Sequence, residues 1–136
     1  MMTPPRKLAF LFLLIGAFAP CHAELPPSAY EAKQKAAPER LKIEVMRVDV
    51  EPGEQPGQQR VVAAALISEV MRTSSGLVPG QIIDIVYTVT ERPSGFAGPG
   101  EVPILSERDV SVAYLVRSGE NAVYAPVAGV MSFRDF

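Results

Sequence analysis

The sequence predicts an all-β domain: a small five-stranded β-barrel with a short N-terminal helix. Three observations carry this. From Leu41 onward five successive runs read as strands, and in the first, third and fourth of them apolar residues recur with a period of two, the spacing of a strand with one buried face. Pro-Gly and Ser-Gly pairs break those runs at short intervals, as reversals of direction require. The first run also changes parity half-way, and a bulge or bend at that point lets one long strand curve into a closed barrel.

An export signal precedes that domain. Arg6 and Lys7 lead into the apolar run Leu8 to Ala19, and Pro20-Cys21-His22-Ala23 follows, the three-part layout of a secretory signal. Twelve apolar residues fall short of the roughly 20 that cross a bilayer. Cys21 and Ala23 stand at −3 and −1 of a small-residue site, so cleavage is expected after Ala23. In a lipoprotein Cys21 itself would carry the acyl chains, and the bulky Phe18 and the Pro20 directly before it argue against that. The expected organisation is a signal peptide over 1–23, an N-terminal segment with a short helix over 24–40 and a barrel over 41–136. The expected location is the periplasm or the extracellular space.

Cleavage removes the only Cys and the only His of the 136 residues. A mature domain with neither excludes a thiol enzyme, a disulfide scaffold, a His-based hydrolase and zinc sites of the usual ligand types, and it calls for no cofactor. It retains 11 basic against 15 acidic residues, a formal charge of −4, which speaks against nucleic acid and against an anionic membrane surface as partners. No later segment reaches transmembrane length, so no integral span is expected after cleavage.

Within 24–40, Ser28 followed by Glu31 reads as a capping box, and Ala32 to Ala37 suits a short helix stopped by Pro38. A helix of that length docks on the barrel or frays. In the first strand Leu41, Ile43 and Val45 alternate with Lys42 and Glu44, then Met46, Val48 and Val50 alternate with Arg47 and Asp49. The loop 51–59 holds two Pro-Gly pairs, and Arg60 to Met71 follows as a second strand whose Ala63, Ala64 and Ala65 equally suit a helix start. Gly80, after Pro79, is placed for the positive φ of a type II turn. The third strand, Gln81 to Thr90, carries Ile83, Ile85, Tyr87 and Val89 on one face.

Residues 91–108 contain three Pro and three Gly and support no helix. Val110, Val112, Tyr114 and Val116 then define the apolar parity of a fourth strand, and Gly119 suits a two-residue turn that sets Val116 opposite Val123 and Tyr114 opposite Ala125. The last strand is expected from Ala122 to about Phe133, interrupted at Pro126 and Gly129.

Five strands in this order, with a first strand that changes face and a long connection between the third and fourth, resemble an OB-fold barrel. The passage Gly76-Leu77-Val78-Pro79-Gly80-Gln81-Ile82-Ile83-Asp84-Ile85-Val86-Tyr87 is similar to the entry into strand three of secreted OB barrels, the tissue inhibitors of metalloproteinases and the netrin modules. The resemblance implies a fold. It carries no inhibitory chemistry across, because those inhibitors reach the protease metal with an N-terminal Cys and the expected mature chain has none.

The carboxylates Glu101, Glu107 and Asp109 gather at the end of the long loop and are weighed as a hydrolytic pair or a calcium site, but beside Arg92 and Arg108 they read better as a solvated rim. The glycines of 95–100 precede no helix and are no dinucleotide fingerprint. Phe96, Val102, Ile104 and Leu105 form an apolar lip that plugs the barrel end or meets a partner, the plug being favoured. Asp84 alternates with Ile83 and Ile85 and is expected on the outer face, exposed or paired with a residue such as Arg47. Tyr124 is expected on the exposed face of its strand.

Together these residues point to a non-enzymatic binding module that recognises a protein or a glycan of the cell envelope. Its candidate interaction surface is Phe96, Glu101, Val102, Ile104 and Tyr124, with the 51–59 loop. The alternatives are a structural envelope component assembling by strand-edge pairing and a carboxylate-dependent hydrolase.

Overall fold

The computed structural model describes residues 25–91, 101–119 and 121–135; the expected signal peptide lies outside them. The chain forms helix α1 (Pro27–Ala36) and then strands β1 (Glu39–Pro52), β2 (Gln58–Arg72), β3 (Ile82–Thr90), β4 (Val110–Arg117) and β5 (Val123–Pro126), ending in a 3₁₀ turn at Gly129–Met131. The strands close into one barrel in the order β1-β2-β3-β5-β4. All pairs are antiparallel except β3 with β5. This is the OB-like barrel that the strand pattern predicts.

The parity change in β1 is resolved by a bulge. Val45 pairs with Ala65 and Arg47 with Ala64, so Met46 is the extra residue. An extra residue turns the strand by one side chain, and Val48, opposite Ala63, therefore faces the same side as Val45. The bulge expected there lets the strand curve into the closed barrel: sequence parity changes, but Val48 stays on the inner side. Past the bulge Met46 and Val50 are 51% and 45% exposed.

The interior is filled by alternate residues: Leu41, Ile43 and Val45 of β1, Val61, Ala63, Ala65 and Ile67 of β2, and Ile83, Ile85, Tyr87 and Val89 of β3. Each large aliphatic chain so buried contributes about 1.5–3 kcal/mol. The turn into β3 is as expected, with Gly80 at φ +90° and the Gln81 N–H donating to the Val78 carbonyl.

The last two strands depart from expectation. Ala113 and Leu115 of β4 face the barrel interior, whereas Tyr114 is buried on the outside among Ala37 and Ala128. Both parities of β4 are apolar because both faces are covered, so alternation alone cannot say which faces in. The β4–β5 connection is also longer than a two-residue turn, with Val116 opposite Ala125 and Arg117 opposite Tyr124. The strand stops at Pro126, and the 3₁₀ turn follows at Gly129–Met131.

Helix α1 docks against the outer side of β4 and the C-terminal turn. The capping box does not form: Pro26 is the N-cap, Pro27 opens the helix, and no side chain caps it. Docking replaces capping as the stabilising term. Tyr30 and Gln34 are buried, and the Gln34 amide donates to the carbonyls of Met131 and Arg134 at 2.9 and 2.8 Å.

Candidate interaction surface

The residues expected to form the interaction surface part company in the structure. Tyr124 is 2% exposed, inside the barrel core beside Ile85, its partner across the parallel β3–β5 pair. This corrects its assignment as a surface residue, and the cause is the inverted parity of β4, whose Arg117 it pairs with. Phe96 lies outside the described residues. Glu101 and Val102 are half-buried, and Val102 packs against the core. Leu105 is buried, and the Tyr87 hydroxyl holds the segment by donating to the Pro103 carbonyl at 2.8 Å and accepting from the Leu105 N–H at 3.0 Å. Residues 102–105 therefore fasten onto the barrel as the plug reading expects, and Ile104, 43% exposed, is the apolar residue left outward.

Of the rim carboxylates, Asp109 serves the turn beside it. Asp109 accepts the Ser106 N–H at 2.9 Å, and Arg108 adopts φ +72°. Among the described residues no group of three or more His, Cys, Asp or Glu could hold a metal ion. Arg47 pairs with Asp49 at 3.1 Å rather than with Asp84.

The more coherent surface lies on the outer side of β2 and β3, where sequence reading placed no site. Val62, Ala64 and Leu66 of β2 point outward, opposite Val86, Asp84 and Ile82 of β3. Val123 of β5 continues the row beside Asp84. A solvated antiparallel face carries polar residues at such positions. Here Ile82 is 62% exposed, Asp84 is exposed and the others are half-buried. The signal was present in the unbroken apolar run Val61 to Ile67, which is apolar on both parities.

The barrel wall on the other side of the molecule is covered and polar at its edge. Glu39 is fully buried at the start of β1 and accepts the backbone N–H groups of Ser74 and Ser75 and the Ser75 hydroxyl. Tyr114 donates from its hydroxyl to Asp135, and Arg40 lies over the Tyr114 ring at 5.7 Å. Burial, reinforced by the hydrogen bond to Asp135 and by its charge, pushes the Tyr114 phenol above the ordinary tyrosine value, with Arg40 opposing. Burial also raises the Tyr87 phenol, and the N–H of Leu105 opposes it.

No protein-family model, curated protein or solved structure matches this chain. The fold assignment accordingly rests on strand order and register, and the functional reading on the two surfaces just described. Among the described residues no helix is long and apolar enough to cross a membrane.

Proposed function

We propose that the chain is an exported, non-enzymatic interaction module that docks a partner protein on the outer face of β2 and β3. The supporting observation is the row of Val62, Ala64, Leu66, Ile82 and Val86, apolar and outward-facing, with the exposed carboxylate of Asp84 set among them. Among the described residues no ion pair engages Asp84. An apolar face with one uncompensated carboxylate is complementary to an apolar segment that carries a Lys or Arg. A second copy of the same face is a poorer fit, because a two-fold axis near Asp84 sets like charges against each other. Nucleic acid is poorer still, since none of the outward residues named is an aromatic on which bases stack.

Export is supported by the basic, apolar and small-residue layout of 1–23. Assembly through the edge of the last strand has less support, because β5 is paired with β3 on one side and β4 on the other.

The test is a photo-cross-linking amino acid at Ile82, expressed in the source cells, compared with the same group at the exposed Glu107 in the turn before β4, off the β2–β3 face. A discrete protein adduct from Ile82 that disappears in an Asp84→Lys background is the expected result. Adducts of equal yield from both positions, adducts indifferent to Asp84→Lys, or none at all would overturn the reading.

A further inference from the structure

Between α1 and the barrel lies a cleft of about 300 Å³, at the lower end of small-molecule sites. Its chemistry comes from Lys35 of α1, Arg40 of β1, Arg72 of β2, Tyr114 of β4 and Asp135 near the C-terminus, with Glu31 at one side. Three cations thus meet two carboxylates. Lys35 pairs with Glu31 at 3.2 Å, both largely exposed, and Arg40 reaches Asp135 at 3.4 Å, a long contact for a guanidinium and a carboxylate.

Arg72 is left over. Its Nε donates to the Ala37 carbonyl at 2.8 Å and an Nη to the Gln34 carbonyl at 2.7 Å. Two neutral acceptors fix the plane of the guanidinium without neutralising it, and five donors are available to a group of which two are used. Among the described residues Arg72 forms no ion pair. Arg40, which also lines the cleft, holds Asp135 only through the long contact from one Nη.

We infer that this cleft binds a small organic carboxylate, received by the Arg72 guanidinium with the Arg40 guanidinium beside it, independently of the β2–β3 face. The group that fits is already illustrated by the chain itself: the Asp135 carboxylate accepts from both the Tyr114 hydroxyl and the Arg40 guanidinium. Planar guanidinium groups favour planar carboxylates through paired donors. Asp135 then acts as a resident competitor for Arg40, present in cis, while Arg72 supplies the charge that only an incoming ligand neutralises.

The test is a titration of the full chain with succinate, read from the Arg Nε–H signals in proton–nitrogen spectra, with neutral succinamide as control and inorganic phosphate as rival. Saturable shifts of the Arg40 and Arg72 signals with a Kd of about 1 mM or below, absent with succinamide, are expected. Arg72→Gln weakens binding about tenfold or more, Lys42→Gln on the exposed side of β1 leaves it unchanged, and Asp135→Asn strengthens it by removing the competing charge. The opposite sign of Asp135→Asn keeps the test decisive if Arg72→Gln unfolds. Signals that do not move with succinate, that move equally with succinamide, that respond only to phosphate, or an Asp135→Asn affinity equal to or below that of the native chain would each overturn the assignment.

Discussion

Two walls of this barrel carry apolar residues on their outer side and meet different fates. On β4, Tyr114 and Val112 are covered by the chain's own additions, with Ala37 after α1 and Ala128 and Met131 of the C-terminal turn packed against them. On β2 and β3, Val62, Leu66, Ile82 and Val86 point outward, and the described residues place no helix or strand over them. On β4 the apolar outer residues are structural, because the chain supplies their cover; on β2 and β3 the described residues supply none, and that row is the surface proposed above to take a partner.

The contrast can be broken or sharpened by substitution, beginning with the largest effect. Tyr124→Ala empties a buried inward position and should cost about 4 kcal/mol in urea unfolding, whereas a surface tyrosine would cost little. A loss under about 0.5 kcal/mol would return Tyr124 to the surface and undo the inverted parity of β4. Glu39→Ala leaves the Ser74 and Ser75 donors without their acceptor and should cost about 2 kcal/mol by the same assay. Gln34→Ala removes both tethers from α1 to the C-terminal segment and should cost about 1.5 kcal/mol, with faster amide exchange confined to the helix and residues 131–135.

The pH dependence follows from the two tyrosines. Their folded-state values are raised above the ordinary tyrosine value of 10.0, so the stabilisation they carry is complete below that pH and is lost as pH rises through the folded values. Unfolding midpoints should therefore fall above pH 10, and Tyr114→Phe should flatten that fall on the covered wall. The smallest effect belongs to the bare wall. Val86→Thr should change stability by less than about 0.5 kcal/mol, because it alters a half-buried outward residue and no core contact.

Much of the barrel was legible in the sequence, because burial on one face imposes a period of two on β1 and β3, and the turns need Gly at Gly80 and Gly119, both of which adopt positive φ. What was not legible has one physical origin: β4 is buried on both faces. Its parity could not be assigned, and the error passed through the hairpin register to Tyr124. The candidate site suffered similarly. The long loop was conspicuous by composition, yet Leu105 and Val102 are spent on covering the core, while the β2–β3 face is built from small and aliphatic residues that read individually as packing. The cleft brings together α1, β1, β2, β4 and the C-terminal segment, residues as distant in sequence as Lys35 and Asp135, and no local motif announces such a meeting.

The central claim is that the bare wall is a docking surface whose specificity resides in Asp84. The direct measurement is the Kd of the segment cross-linked from Ile82, for the native chain and for Asp84→Lys, with Glu107→Lys in the turn before β4 as the charge control off the face. About tenfold or greater weakening is expected for Asp84→Lys, partly restored when the segment's basic residue is exchanged for an acid, with no change for Glu107→Lys. Equal affinity for the native chain and Asp84→Lys would contradict it.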